Sequence, residues 1–305
     1  MFTLAHLSDV HLGPLPRPRS SELIGKRMLG FINWQKRRRR YSRQFLDRLV
    51  ADLVMQKPDH IAITGDLVNI ALPQEFILAR TWLETVGAPD RVTVIPGNHD
   101  AYVRLRGKPG YTQWADYMQP NWAAGALMPG AGDGFPFVRR FGDIALIGLS
   151  SARPTAPLMA SGRLGPRQLA ALGVLLESLR GENLCRVVLV HHPPLPGMSP
   201  WIKALHDARA MRSNLVLHGA ELVLHGHAHV DSITPLQTAH GPVYVVGVAS
   251  ASSSFREHGR IARYNLYGIE KTNAGWRIHL RSRMLGEDGA PIETDHGLLG
   301  QAGPS

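Results

Sequence analysis

Five times along this chain a short apolar run stops abruptly at a cluster of Asp, Asn or His. Leu4 to Leu7 runs into Ser8-Asp9-Val10-His11, and Ile61 to Thr64 into Gly65-Asp66. Val92 to Ile95 passes Pro96 into Gly97-Asn98-His99-Asp100. Val187 to Val190 meets His191-His192-Pro193-Pro194, and Leu222 to Leu224 meets His225-Gly226-His227-Ala228-His229. Unbroken apolar runs of this length, bounded by turn residues, predict buried parallel strands. Their polar ends fall at the carboxyl edge of a sheet, where open α/β sheets bind ligands. The clusters are therefore expected to converge on one site.

Between these strands the apolar period lengthens to that of helices. Tyr41 to Lys57 places Phe45, Leu49, Leu53 and Val54 on one face and is stopped by Pro58. Pro73 to Val86, Gly165 to Leu179 and Trp201 to Leu217 read the same way. Ala101 to Pro136 is irregular apart from a short helix at Thr112 to Met118, and is expected to form loops around the site entrance. Phe135 to Phe141 and Ile144 to Leu149 flank Gly142-Asp143, a hairpin signal. After His229 the pattern turns to strands alone: Ser232 to Leu236, Val243 to Val248, Ile261 to Glu270 and Trp276 to Arg283, expected as an antiparallel second sheet. The organisation is one domain over residues 1–285, with 286–305, rich in Gly, Asp and Pro, as a loose tail. No internal repeat is visible.

Charge changes this picture at one place. The formal net charge is +10, and residues 17–43 hold ten Lys or Arg against one acid, Glu22. The remainder is close to neutral, so residues 14–43 form a basic insert directly after His11. Pro14, Pro16 and Pro18 make an extended lead-in, and Glu22 to Arg40 predicts a helix. Ile24, Met28, Phe31 and Ile32 share one arc, flanked by Leu23 and Trp34; Glu22, Lys26, Asn33 and Arg37 lie opposite. Gly25 and Gly30 weaken it as an isolated helix. The lone cysteine, Cys185, opens a strand and reads as a core residue. Met1 to Val10 carries Asp9 and lacks a basic lead into a long apolar stretch, so it reads as the first strand.

Asp, Asn and neutral His are ligands for Mn, Fe, Zn or Co, and no cysteine competes among them. Asp9, His11, Asp66, Asn98, His191, His227 and His229 supply seven, too many for one four-coordinate ion and suited to two ions sharing a carboxylate. Such a pair polarises a bridging water and clamps an in-line phosphoryl displacement. Each residue has a plainer reading. Asp9, Asp66 and Asn98 could cap the helices that follow, His191 and His192 compete for one place, and His225 could be a packed strand-end residue.

The blocks Asp9-x-His11, Gly65-Asp66, Gly97-Asn98-His99-Asp100, His191-His192-Pro193-Pro194 and Gly226-His227-x-His229 resemble, in order and spacing, the calcineurin-like metallophosphoesterase superfamily. The resemblance spans about Met1 to Val230. It implies an α/β fold, a four-layer αββα sandwich of two mixed sheets flanked by helices, here with the basic helical insert near the active site. It also implies that Asp9, His11 and His229 hold one metal, that Asn98, His191 and His227 hold a second, and that Asp66 bridges them. His99 would contact the phosphoryl group or protonate the leaving group, with Asp100 orienting it. His11 in the first block resembles members that cleave diesters.

Tyr102, Arg104 and Arg106 follow His99 closely enough to meet a phosphate, and Arg153 lies in a loop resembling one near the site in diester-cleaving members. The expected substrate is a small phosphoester or a lipid-linked phosphate or pyrophosphate. The insert, residues 22–40, has three readings: contact with an anionic membrane surface, contact with nucleic acid, or packing on its own domain. Nucleic acid ranks last because the rest of the chain is near neutral. The expected location is the cytoplasm, with peripheral attachment to the inner face of the membrane. Phosphomonoester hydrolysis and a non-catalytic, membrane-recruited scaffold are the competing functions.

Overall fold

Parallel strand pairing explains why the apolar runs are unbroken, since each strand is covered on both faces. The computed structural model describes residues 1–105, 110–122, 134–254, 260–273, 275–286 and 289–299. Strands β1 (Phe2–Leu7), β2 (His60–Ile63) and β3 (Val92–Val94) pair in parallel. On its other side β1 pairs antiparallel with β10 (Arg263–Thr272), which is followed by β11 (Gly275–Leu285) and β12 (Pro291–Leu298). The second sheet runs β4 (Phe137–Phe141), β5 (Ile144–Gly148), β6 (Cys185–Leu189), β7 (Leu222–His225), β9 (Val243–Gly247), β8 (Ser232–Leu236). Its inner strands β5, β6, β7 and β9 are parallel, and β4 and β8 are antiparallel edges.

This corrects one expectation. The strands after His229 do not make a sheet of their own: β8 and β9 extend the second sheet, while β10 to β12 return to flank β1. The five ligand-bearing strands are accordingly divided, three in one sheet and two in the other.

Alternation along each strand builds three apolar layers. Leu4 and Ala62 from one sheet meet Val187, Leu189, Leu222 and Leu224 from the other. Leu7 and Ile63 face outward onto Leu49, Leu53, Phe76 and Leu83 of helices α2 (Arg43–Met55) and α3 (Pro73–Val86). Val188 and Val223 face α4 (Gly165–Gly181) and α5 (Ala208–His218), against Leu172, Leu176, Met211 and Leu215. The result is an αββα sandwich of two mixed sheets.

Three boundaries differ from the sequence expectation. The stretch from Trp201 is not one helix: a single turn at Trp201–Lys203 precedes α5, because Asp207 turns back to accept the Leu164 and Gly165 amides at the start of α4. The insert is a helix only over α1 (Lys26–Arg37), preceded by Gly25 at φ 68° and followed by a tighter turn through Arg38–Arg40. The segment 286–305 is not all loose, for β12 is an edge strand. Its Pro and Gly mark the strand start and a bulge, where Leu280 pairs with Gly297 and Arg281 with Asp295. Polar cross-strand pairs hold it: Arg281 and Arg283 on Glu293, and His279 on Asp295. A polar strand of this kind carries no apolar alternation to read.

One buried ion pair fastens α2 to the first sheet. Asp52 accepts two bonds from Arg283, both at 2.8 Å, and a third from the Tyr264 hydroxyl at 2.6 Å. Burial pushes its carboxyl up, but the Arg283 and Tyr264 bonds more than reverse this and hold it below the ordinary range. A depressed carboxyl pKa stabilises the fold above the unfolded value of about 3.9, and that contribution disappears as pH falls through the folded value. Asp52→Ala is expected to cost about 2–4 kcal/mol at neutral pH, by stranding the Tyr264 hydroxyl and leaving Arg283 with Glu293 alone. The deficit relative to wild type should shrink under acid, read as urea midpoints at two pH values.

Candidate metal centre

The ligand-bearing loops turn through a backbone conformation that most residues avoid. Asp9, His11, Asp66, His227 and His229 all have positive φ, between 42° and 65°. Left-handed backbone costs of order 1 kcal/mol or more for a residue with a side chain, and Asn, Asp and His tolerate it best. It lets residues i and i+2 at a strand end both project inward, as Asp9 with His11 and His227 with His229 do.

Two groups result. Asp9, His11 and His229 present ligand atoms within 4.8 Å of one another, and Asp66, His191 and His227 do the same. Asn98 joins the second group, its Oδ1 lying 3.1 Å from His191 Nε2. Asp66 stands between them. Its Oδ1 accepts the His99 amide at 2.7 Å, while Oδ2 lies 3.9 Å from His11 Nε2 and 3.3 Å from His191 Nε2. All seven residues expected from the sequence therefore meet at one place.

The donor set fits a cation rather than a network of mutual hydrogen bonds. Asp9 Oδ1 is buried with no hydrogen-bond donor, yet His229 Nε2 is 3.0 Å away and His11 Nε2 lies 3.3 Å from His229 Nε2. Neighbouring ligands on an ion with bonds of about 2.0–2.2 Å sit at such separations. The far nitrogens are committed elsewhere. His191 Nδ1 donates to the Thr64 carbonyl at 2.6 Å, which leaves Nε2 for the site. His227 Nε2 donates to the Lys203 carbonyl at 2.9 Å, which leaves Nδ1. Burial raises the Asp66 carboxyl, but His191, His99 and His11 outweigh it and hold it well below the usual range. The His191 imidazole is lowered by burial and raised more by Asp66, and ends at about 9. The carboxylate is thus ionised, as a ligand shared by two cations must be, and His191 would ligate through Nε2 in its neutral form, an ion taking the place of that proton.

Two glycines make this closeness achievable. A Cβ at Gly97 would strike Asp66, and one at Gly226 would strike Ser8 and Asp9. His192 and His225 stay outside both groups. His192 bonds Ser151 Oγ at 2.7 Å and the Ala160 carbonyl at 3.0 Å, and His225 is buried at the end of β7.

His99 faces the first group edge-on, its ring 4.9 Å from that of His11. Its Nδ1 donates to the Asn69 carbonyl. Asp100 does not orient it, which corrects the sequence expectation. The Asp100 carboxylate is buried and collects four amides instead: Gly97 at 2.8 Å, Asp66 at 2.9 Å, Leu67 at 3.0 Å and Val68 at 3.1 Å. Burial and the neighbouring Asp66 push it up to about 7, against the pull of those amides. A carboxylate directly after a turn satisfies the nearest unpaired amides, and four of them leave no lone pair for His99.

A cavity of about 620 Å³ opens above the two groups. Tyr102 lines it and stacks on His99, with ring centroids 5.6 Å apart. Arg104 and Arg153 are not among its lining residues, contrary to expectation, and Arg106 lies outside the described residues. Arg153 is instead engaged with Ser161 and His206, at 3.2 and 3.0 Å.

The cations at the cavity come mainly from elsewhere: Lys26, Arg37, Arg40, Lys203 and Arg260. Lys26, Asn33 and Arg37 are the side of the insert that the sequence placed opposite the apolar arc, and that side forms the cavity wall. Helix α1 docks through Gly30, where a Cβ would lie 2.6 Å from Tyr102 Oη, and through Arg27 on the Ile70 and Ala71 carbonyls. Lys26 Nζ bonds Thr155 Oγ1 at 2.7 Å and lies 4.3 Å from the Tyr102 ring centre; burial pushes its ammonium down to about 8. Tyr41, which the sequence reading also missed, packs its ring 4.7 Å from His11 and 6.2 Å from His229, and burial foremost raises its phenol to about 12. Its only sequence signal is its place at the end of the basic run.

Comparison with known proteins finds relatives of the chain and of its fold. A glycerophosphodiester phosphodiesterase, GpdQ, from Enterobacter lignolyticus is 28% identical over 200 residues, covering 63% of this chain and 57% of that protein. The chain thus spans little more than half the length of that curated relative. A dimetal phosphatase from Danio rerio superposes with a TM-score of 0.63 at 14% identity, over 97% of this chain and 99% of that one. A purple acid phosphatase from yellow lupin (Lupinus luteus) gives 0.56 at 11% identity, over 96% and 52%. At such identities the two structures speak for the fold alone. The sequence itself matches the calcineurin-like phosphoesterase family continuously over residues 2–231, a span holding both ligand groups and the shared Asp66, and the chain belongs to that family.

Proposed function

We propose that this protein is a dinuclear metal-dependent phosphoesterase that hydrolyses a phosphodiester or pyrophosphate. The observation that carries the reading is Asp66 Oδ2, placed between two ligand groups on the floor of a cavity walled by cationic side chains. Asp9, His11 and His229 would hold one ion and Asn98, His191 and His227 the other, with Asp66 shared; the oxygen and nitrogen donors suit Mn, Fe, Zn or Co. Two such ions supply Lewis-acid polarisation of a water and of the phosphoryl oxygens.

The rest is the work of the protein's own groups. With Nδ1–H spent on the Asn69 carbonyl, His99 gains and gives its second proton at Nε2, the nitrogen left for the site. A proton held there serves the leaving oxygen. Tyr102 stacks on the imidazole and limits its tilt. Lys26, Arg37, Arg40 and Lys203 meet anionic charge away from the reacting phosphorus. A cavity of about 620 Å³ accommodates substituents on both sides of a phosphate, where a simple monoester would leave most of it unfilled. The diesterase named among the relatives, and His11 in the first motif, lend support to the diester preference.

Protein reconstituted with Mn, Zn or Co should hydrolyse bis-p-nitrophenyl phosphate faster than p-nitrophenyl phosphate. A reversed ratio in every metal would favour a monoesterase. Asp66→Ala is expected to abolish turnover and lower bound metal by elemental analysis, because one carboxylate serves both ions; full occupancy would remove the shared assignment. His99→Ala should keep its metal and lose about 10²–10⁴ in rate. The loss should shrink as the leaving group becomes more acidic, since such groups need little protonation. An equal loss across a leaving-group series would make His99 a phosphate-positioning residue instead.

A further inference from the structure

Helix α1 leaves its apolar side uncovered. Ile24, just ahead of the helix, is 75% exposed, and Met28 and Ile32 follow at spacings of four residues, both exposed. Phe31 and Trp34 are half-buried and stack on each other, so they brace the helix rather than lead the arc. Leu29 is exposed as well and borders the cavity. The opposite side of the mouth repeats the pattern from unrelated segments: Leu158 is 77% exposed, Trp201 is 68% exposed, and Ile202 beside it is also exposed.

Hydrogen bonds tie these three segments to one another around the rim of the mouth. Lys26 Nζ bonds the Met159 carbonyl at 3.2 Å, and the Ala160 amide donates to the Ile202 carbonyl at 2.9 Å. The rim is bordered by Lys36 and by Arg37 to Arg40, all exposed. Among the described residues no helix is long and apolar enough to cross a membrane, so a bilayer contact here would be peripheral.

We propose that this rim is a docking surface for an anionic lipid bilayer, with the cavity mouth against the headgroups. Its composition matches such an interface: isolated aliphatic side chains and one exposed tryptophan at the level of insertion, with long basic side chains beside them. Anionic headgroups complement the dense positive charge of residues 36–40, which an apolar protein partner would leave unpaired. Exposed aliphatic side chains from three chain segments, Leu29, Leu158 and Ile202, meet at one cavity mouth, which is unusual for a surface meant only for water. The proposal goes beyond the phosphoester reading and does not depend on it, because binding is measured without hydrolysis.

The test is co-sedimentation of the full chain with phosphatidylcholine vesicles, with and without phosphatidylglycerol. Wild type should bind only the anionic vesicles, and less as salt rises. Ile24→Ser/Met28→Ser/Ile32→Ser and, separately, Trp201→Ser should each lower the partition coefficient about tenfold or more. Arg38→Gln/Arg39→Gln should weaken binding and flatten its salt dependence. All three should hydrolyse bis-p-nitrophenyl phosphate like wild type, which also shows that they fold. Absence of wild-type sedimentation with anionic vesicles at low salt overturns the proposal, as does binding that the apolar variants leave unchanged. Wild-type self-association in sedimentation velocity, lost in the apolar variants and without vesicle binding, makes the rim a contact between copies of this chain. Vesicle binding without diester hydrolysis leaves the docking surface standing and removes the proposed activity.

Discussion

The whole site depends on a backbone geometry that L-residues resist. Five of the seven ligand positions lie in the left-handed region, each at the end of a strand. Strain of this kind persists only where the surroundings over-determine it. Here they do: the loops are pinned by Asp9 N to the Gly65 carbonyl, His11 N to the Asp66 carbonyl and Gly226 N to the His191 carbonyl, at 3.0, 2.9 and 3.1 Å. The Asp100 carboxylate adds four more amides to the same hub. A packed two-sheet core supplies the rigidity that holds these loops against their own preferences.

Because the ligands are split between two sheets, the seam between the sheets is also the seam through the site. Thr64 follows β2 while His191 follows β6, and the 2.6 Å bond from His191 Nδ1 to the Thr64 carbonyl crosses from one sheet to the other. Ser250 Oγ makes a second crossing to the Asp9 carbonyl at 2.6 Å. Slippage of one sheet over the other would separate the ligand groups that share Asp66. The apolar layer of Leu4, Ala62, Leu189 and Leu224 is therefore part of the site's geometry as well as of its stability.

Much of this was legible in the sequence, and the exceptions follow a physical rule. Strands ending in Asp or His are readable because burial and turn chemistry leave marks within a few residues. The division of strands between sheets is not, since β10 pairs with β1 across more than 250 residues and neither strand carries a sign of its partner. Polar β12 escaped because Glu293 and Asp295 find Arg281, Arg283 and His279 only once the sheet exists. Asp100 was given to His99 by the family resemblance, while the folded turn offered it nearer donors. The insert is instructive in another way. Its amphipathic pattern left three readings open and did not show which side docks, whereas Gly30 and Arg27 do the docking and Lys26 turns inward.

The insert begins three residues after His11 and rejoins the sandwich at α2, before any further strand has been laid down. The β1–β2 register, Leu4 with His60 through Leu7 with Ile63, depends on none of its residues. Apart from Tyr41, which packs on His11 and His229, its residues can thus change without moving a strand. The chain separates into a floor whose geometry the strands and their loops fix, and a wall that the strands do not fix. Rewriting residues 14–40 would reshape what the cavity admits while the ligand cluster beneath stays in place.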